Sequence, residues 1–171
     1  MRGHTPHELA SPDQHLATTR KVQIDVMRIA LTPLTLEGSI VRLLPLQAEH
    51  AQALWQAGAD PKLWTLQPRA IQSLADMQAY VDTALSDQAH GTALPWVTQL
   101  IASGEIVGST RFMDVATAHL RLEIGATWLC PAAQRSGANV ECKYLQLAHA
   151  FDVLGMERVV LKTELLNTAS R

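Results

Sequence analysis

The stretch AAQRSGANVECKYLQLAHAFDVLG, residues 132–155, joins a run of small and polar residues to a strongly amphipathic helix pattern. Gly155 follows at the position where α-helices often end. Side chains at offsets of 0, 4, 7, 11 and 14 residues lie on one face of an α-helix. The apolar residues at these offsets are Val140, Tyr144, Leu147, Phe151 and Leu154. We therefore predict a helix here, with these five residues as its apolar face.

The residues before this helix favour an anion-binding site. Ser136, Gly137 and Ala138 are small, so a ligand can approach the amides of the first turn, which have no intrahelical partner. A helix N-terminus carries partial positive charge, and Arg135 adds a guanidinium group. Together they suit a phosphate or pyrophosphate. A structural turn explains the same residues, and neither a Walker loop nor a dinucleotide-binding fingerprint is present.

The composition fits one soluble domain with a sizeable core. The chain has 171 residues, of which 47% are hydrophobic and 18% charged. A net charge of -2 gives no indication of nucleic-acid binding, and no apolar run is long enough for a membrane span. Cys130 and Cys142 form neither a disulfide framework nor a zinc-ligand pattern. We predict that both cysteines are buried or half-buried and that there is no metal site.

The N-terminal segment, residues 1–30, differs from the rest of the chain. It is polar, and its first twenty-odd residues hold three of the seven histidines without any helical or strand period. It lacks the apolar core of a secretory signal, and we expect a cytoplasmic protein. Either the segment is a disordered tail, or it is not native coding sequence and the functional start is Met27. The folded domain would then be residues 31–171.

Hydrophobic periodicity predicts a mixed α/β fold in which one sheet has antiparallel and parallel parts. Ser73 is the predicted cap of the second helix, with Asp76 as its partner. In the strand at 120–129, strict alternation divides the side chains between two faces. One face carries Leu120, Leu122, Ile124, Ala126 and Trp128, and the other Arg121, Glu123, Gly125 and Thr127. The predicted helices are 47–60 (with a break at Asp60-Pro61), 73–88 and 134–155. The predicted β segments are 34–46 (with a turn at 37–39), 95–102, 106–115, 120–129 and 157–163.

Several motifs in one order carry a family resemblance. Gln134-x-x-Gly137-x-Asn139 resembles the Q/R-x-x-G-x-G/A pyrophosphate loop of the GNAT superfamily of N-acetyltransferases, with Asn139 where glycine or alanine is usual. The order of motifs is similar to the RimJ/RimL-like branch and covers about residues 31–171. Its elements are a strand ending in Trp128, the loop, Glu141-Cys142 in the helix, the LGMERV strand entry at 154–159, and the NTAS segment at 167–170.

This resemblance implies an N-acetyltransferase that transfers the acetyl group of acetyl-CoA to a primary amine, either a protein N-terminus or a small molecule. Acetyl-CoA would lie between the strands 120–129 and 157–163, which splay apart. Its pantetheine arm would bond the backbone near Thr127, Trp128 and Leu129. The pyrophosphate would lie on the loop, with Asn167 and Ser170 approaching the cofactor. The loop residues are Gln134, Arg135, Ser136, Gly137, Ala138 and Asn139.

The family continues beyond 157–163 through a further helix and two strands, so the resemblance implies a GNAT-like fold without these elements. We therefore expect the chain to be incomplete as an acetyltransferase. We also expect an exposed edge at 157–163 that invites self-association. A non-catalytic acyl-CoA-binding or regulatory module of the same fold is the alternative function.

Glu123 is the candidate general base, because direct attack on the thioester requires a neutral amine. The alternative is a structural pair between Glu123 and Arg121 or Arg111 across the sheet. Glu141 is interpreted as a first-turn carboxylate favoured by the helix dipole. His119 is expected in a turn and His149 on the helix surface. The tryptophans Trp55, Trp64 and Trp96 are expected to pack in the core, although they could line an acceptor cleft.

Overall fold

The computed structural model describes residues 29–65, 70–165 and 167. Six strands in this part of the chain form one sheet, ordered as in the sequence. Neighbouring strands are antiparallel except the last two, which are parallel. This mixed sheet confirms the predicted fold class. The strands are β1 (Leu36–Glu37), β2 (Val41–Pro45), β3 (Leu94–Leu100), β4 (Ile106–Ala116), β5 (Arg121–Leu129) and β6 (Arg158–Val160).

Among the described residues, three α-helices accompany the sheet: α1 (Ala51–Ala57), α2 (Leu74–Ala89) and α3 (Ala138–Ala148), which continues as a π-helical turn over His149–Val153. The cap predicted for α2 is confirmed, since the Ser73 hydroxyl accepts a hydrogen bond from the Asp76 amide. The break predicted after α1 is also confirmed. Asp60 there caps a short 3-10 turn, Pro61–Trp64. None of the helices in the described ranges has the length and apolarity needed to cross a membrane.

The sheet has a separate apolar core on each face. On one face, Leu43, Trp96 and Phe112 pack with residues of α3, including Ala138 and Cys142. On the opposite face, α1 and α2 pack against the sheet, and the core there includes Leu54, Met77, Val81 and Val97. The strands β2, β3, β4 and β5 present side chains to both cores. The two faces can be called the α3 face and the α1–α2 face.

The strict alternation predicted for β5 is wrong, because a β-bulge interrupts the strand. Gly125 is paired with Arg111 and Trp128 with Ser109, so two residues of β5 lie opposite one residue of β4. Ala126, in the bulge, has a φ of 47°, in the left-handed region. The bulge reverses the alternation beyond it. Leu122 and Ile124 therefore lie on the α3 face, whereas Trp128 lies in the core of the α1–α2 face.

The buried face predicted for α3 is also wrong. Val140 and Tyr144 are 75% and 69% exposed, Phe151 is exposed as well, and Leu147 and Leu154 are only partly buried. The side chains that α3 and its π-helical turn bury are instead small or polar: Ala138, Cys142, Gln146, His149 and Ala150. Counting large apolar residues therefore points to the wrong face of this helix.

His149 is a further correction, since it lies in the core rather than on the helix surface. Its ring stacks on Phe112, with ring centroids 6.2 Å apart and an interplanar angle of 8°. Burial lowers the pKa of His149, which favours the neutral form of the ring.

The last strand is shorter than predicted. Only Arg158–Val160 form β6, within the predicted range 157–163. Among the described residues, β6 pairs with no strand other than β5, and self-association through its outer edge stays a prediction. Residues 1–28, including Met27, lie outside the described ranges, so the interpretations of the N-terminal segment stay predictions too.

Candidate active site

The strands β5 and β6 pair over three residues and then part. Arg121, Leu122 and Glu123 lie opposite Arg158, Val159 and Val160. From Ile124 onward, no described strand occupies that edge of β5. This edge of β5 is therefore open to a ligand that binds as an added strand, at the backbone groups that no side chain already bonds. The opening lies beside Thr127, Trp128 and Leu129, where the pantetheine arm is predicted.

The carbonyl of Leu129 is already engaged within the protein. Gln134 Nε2 donates a hydrogen bond of 3.0 Å to it, so this predicted binding residue holds the loop against the strand end. Ser136 is likewise engaged, since its hydroxyl donates to the Ala133 carbonyl at 2.7 Å. Both side chains therefore shape the loop between β5 and α3.

The N-terminus of α3 lies at the end of this loop. Gly137 precedes the helix with a φ of 88°, and no side chain caps it. Within the described residues, the amides of Asn139 and Val140 have no hydrogen-bond acceptor. The side chains of Arg135 and Asn139 are exposed. The first turn of α3 thus presents unpaired amide donors beside an exposed guanidinium, as an anion site requires.

The other predicted cofactor residues are Ala138, Asn167 and Ser170. Ala138 is fully buried, so only its backbone could reach a ligand. The Asn167 amide donates to the Glu164 carbonyl at 3.0 Å, beyond β6. Ser170 lies outside the described residues.

Glu141 lies in the first turn of α3, as interpreted from the sequence, but its carboxylate also binds the β1–β2 turn, which no sequence pattern indicates. One carboxylate oxygen accepts hydrogen bonds from the Ser39 amide and hydroxyl, and the other accepts from the amides of Ile40 and Val41. Burial alone would raise the pKa of Glu141, but these hydrogen bonds lower it to about 2. A side chain at Gly38 would collide with this carboxylate, which explains the glycine of the turn.

Lys143 lies beneath the bulge on the α3 face. Its Nζ donates to Thr127 Oγ1 at 2.6 Å, to Thr110 Oγ1 at 3.3 Å and to Gln146 Oε1 at 3.4 Å. Burial lowers the pKa of Lys143 to about 8. No carboxylate in the described ranges forms an ion pair with it. Thr127, predicted to share a face with Glu123, is thus held on the opposite face of the sheet.

Glu123 is paired, but not with either arginine named as an alternative. Lys162 Nζ lies 2.5 Å from Glu123 Oε2 and 3.4 Å from Asp114 Oδ2. The Glu123 side chain is 9% exposed and lies on the α1–α2 face. Hydrogen bonding to Glu123 and then to Asp114 raises the pKa of Lys162. The carboxylate therefore lies at the point where β5 and β6 part, next to a cation that stays charged.

A cleft of about 510 Å³ is lined by neighbours of Glu123 but not by Glu123 itself. These neighbours are Met113, which pairs with Glu123 in the sheet, and Asp114, which also contacts Lys162. The cleft contains charges of both signs. Its lining residues are Asp87, Thr92, Ala93, Met113, Asp114, Val115, Ala116 and Arg121.

Comparison with known families agrees with this geometry. Residues 41–171 match the family model described as the acetyltransferase (GNAT) domain. This chain belongs to the GNAT acetyltransferase family. No curated protein matches the chain.

Solved structures of GNAT proteins share the fold. A GCN5-related N-acetyltransferase from Brucella melitensis has a TM-score of 0.75 and 27% identity, over 82% of this chain and 64% of that chain. A protein from T. thermophilus, described as an acetyltransferase, has a TM-score of 0.70 and 33% identity, over 81% of this chain and 71% of its own. The present chain thus spans 64% of the length of the Brucella protein.

A more distant GNAT protein shares the fold alone. It is the acetyltransferase from Salmonella typhimurium that modifies the N-terminal serine of the 50S ribosomal subunit protein L7/L12. Its TM-score is 0.69 at 21% identity, over 80% of this chain and 79% of that chain.

The tryptophans, the cysteines and His119 pack in or against the core or lie in a turn. Trp64 and Trp96 are buried, and their indole groups donate to the carbonyls of Gly58 and Leu34. Trp55 packs against the core of the α1–α2 face. The predicted burial of the cysteines is confirmed, with Cys142 buried and Cys130 half-buried. His119 lies in an exposed turn, also as predicted.

Proposed function

We propose that this chain binds acetyl-CoA in the opening between β5 and β6 and transfers its acetyl group to a primary amine. One observation carries the proposal. The sheet parts after the Glu123–Val160 pair, and the free edge of β5 leads through the loop to the uncapped N-terminus of α3. An open strand edge followed by an anion site fits a ligand with an amide-bearing arm and a pyrophosphate.

The cofactor would be held mainly by backbone groups. The pantetheine amides would bond the β5 edge at Thr127 and Trp128, and the pyrophosphate would lie on amides from Arg135 to Asn139. Gly137 suits this loop because its φ of 88° is one that residues with a side chain rarely adopt. The exposed Arg135 guanidinium would add a charge-assisted contact with a phosphate. Asn167, with Ser170 beyond it, would approach from the segment after β6.

The chemistry would be a direct transfer. The amine nitrogen attacks the thioester carbonyl carbon, a C–N bond forms, and collapse of the tetrahedral intermediate breaks the C–S bond. One proton leaves the amine, and one is taken up by the thiolate of CoA. Glu123 would accept the amine proton, directly or through water, because it lies where the strands part. The adjacent Lys162 keeps this carboxylate in a fixed position.

Two measurements test the proposal. Calorimetric titration with CoA and acetyl-CoA measures binding, and thiol release in the presence of a panel of peptides and small amines measures transfer. We expect binding and amine-dependent thiol release. Binding without transfer to any amine would indicate a non-catalytic acyl-CoA-binding module. If CoA did not bind, the assignment of the opening between β5 and β6 would be wrong.

A further inference from the structure

Arg111 of β4 is a buried cation without an acidic partner. Arg111 is only 7% exposed, and its Nε is buried without a hydrogen-bond acceptor. Within the described residues, the guanidinium forms no ion pair. A buried charge without a partner is strongly unfavourable in a protein. Arg111 therefore differs from a cation that stabilises the fold through a salt bridge.

The one described contact of this guanidinium is with an aromatic ring. Arg111 Cζ lies 4.9 Å from the centroid of the Tyr80 ring, which belongs to α2. The ring face attracts the cation and fixes its position, but it accepts few of the five N–H donors of the guanidinium. The Tyr80 hydroxyl is directed elsewhere and donates to Ser109 Oγ at 3.4 Å. Among the described residues, this positioned cation has no hydrogen-bond acceptor, and its Nε is buried.

Arg111 and Glu123 share the α1–α2 face of the sheet. Arg111 lies opposite Gly125, and Glu123 lies opposite Met113. The two charged residues are therefore diagonal neighbours, whose Cα atoms are typically roughly 7–8 Å apart. The Glu123 carboxylate lies next to Gly125. A Cβ added to Gly125 would be 3.2 Å from Glu123 Oε1. Even so, Glu123 forms its ion pair with Lys162 and none with Arg111.

We infer that Arg111 binds a carboxylate of the amine acceptor, so that the enzyme acts on amines that also carry a carboxylate. This inference rests on the proposed function and specifies its acceptor. The guanidinium fork matches the two oxygens of a carboxylate, whereas a lysine in its place would offer a point charge. An acceptor bound in this way would have its anionic end at Arg111 and its amine toward Glu123.

The test compares acceptors that differ only in charge. Initial rates of thiol release are measured with amino acids and acidic peptides, each beside the same compound with its carboxylate converted to a carboxamide. We expect kcat/KM to favour the carboxylates by roughly 10- to 100-fold, the size that hydrogen bonds to a charged group provide. In Arg111→Met the preference should fall to about 1, with an unchanged KM for acetyl-CoA. The half-exposed Arg42, bound to Glu37, supplies the control variant Arg42→Met, which should keep the preference.

Equal rates with both members of each pair in the parent, or a preference that survives in Arg111→Met, would overturn the inference and leave the acetyltransferase proposal standing. If acetyl-CoA binds but no amine reacts, calorimetric titration with N-acetyl amino acids and their amides decides the point. Binding of the carboxylates alone, abolished in Arg111→Met, supports the inference, and any other pattern overturns it. If Arg111→Met does not fold, Arg111→Lys replaces it, with an intermediate loss of preference expected.

Discussion

Glu141, in the first turn of α3, accepts hydrogen bonds of 2.8 and 2.7 Å from the amide and hydroxyl of Ser39 in the β1–β2 turn. The two residues are 102 positions apart in the chain. Because the amides of Ile40 and Val41 bind the other carboxylate oxygen, four donors from one turn fix a single side chain. This contact places the N-terminus of α3, and with it the candidate anion site, relative to the edge of the sheet.

Removing this carboxylate should destabilise the protein. We expect Glu141→Gln to lower the free energy of unfolding by about 1–3 kcal/mol, because hydrogen bonds to a charged acceptor are replaced by weaker ones and one oxygen is lost. Chemical denaturation measures the change. Glu157→Gln, at an exposed glutamate without a described side-chain contact, is the matched control. Equal unfolding midpoints in Glu141→Gln and the control would show that the contact contributes nothing to stability.

The same contact predicts an acid-sensitive contribution to stability. The pKa of Glu141 is lowered to about 2 in the folded protein, against about 4.3 for an unperturbed glutamate. A lowered pKa means that the contribution is fully present above the unfolded value and is lost as the pH falls from about 4.3 toward 2. Between pH 5 and 2.5, the melting temperature of the parent should therefore fall more than that of Glu141→Gln. Parallel decreases in the two proteins would contradict the shift.

The order of the elements could be predicted from the sequence because local signals determine it. The Ser73 cap, the break at Asp60 and the alternation of β3 and β4 each act within a few residues. Features set by distant contacts could not be predicted. Glu141 has the sequence of an ordinary first-turn glutamate, and only the turn near Ser39 gives it four partners.

The errors at the site have the same physical origin. Alternation in β5 looks unbroken because the bulge residue is Ala126, not the glycine that usually marks a left-handed conformation. In α3, Ala138 and Cys142 make the buried face, whereas the larger residues Val140 and Tyr144 indicate the opposite one. The sequence suggests Arg121 or Arg111, on the same or a neighbouring strand, as the partner of Glu123. The observed partner, Lys162, belongs to the segment after β6.

Lys143 should make stability depend on pH in the alkaline range. Burial lowers its pKa to about 8, below the roughly 10.4 of an exposed lysine. At pH values between these two pKa values, the unfolded chain binds more protons than the folded one. The free energy of unfolding should therefore rise with pH in this range. We expect the parent to gain stability between pH 7.5 and 9.5 relative to Lys143→Met, measured by chemical denaturation. Lys62→Met, at an exposed lysine, is the control and should follow the parent.

Replacing Glu123 should affect the chemical step and not cofactor binding. We expect Glu123→Gln to lower kcat by roughly 100-fold or more, the range for loss of a general base, while the Kd for acetyl-CoA stays nearly unchanged. The loss should be greatest below the pKa of the acceptor amine, where a proton must be removed. Rates are measured from pH 6 to 9. A turnover equal to that of the parent across this range would leave Glu123 as a structural partner of Lys162.

Gly137 should be essential for CoA binding. In Gly137→Asp, a carboxylate would face the predicted pyrophosphate, and a side chain would be required at a φ of 88°. Its Cβ would lie 3.1 Å from Ile40 Cδ1. We expect no measurable CoA binding by calorimetry, whereas Arg135→Ala should weaken binding less because the backbone amides remain.

Two controls separate charge from strain in this experiment. Gly137→Ala adds a Cβ at the same φ without a carboxylate, so it should lose less affinity than Gly137→Asp. Gly91→Asp places the same residue at a φ of 72°, at the far end of α2, with no atom within 4 Å of the new Cβ. It should therefore bind CoA like the parent. Parental affinity in Gly137→Asp would exclude the α3 N-terminus as the pyrophosphate site, because no phosphate could share that space with a carboxylate.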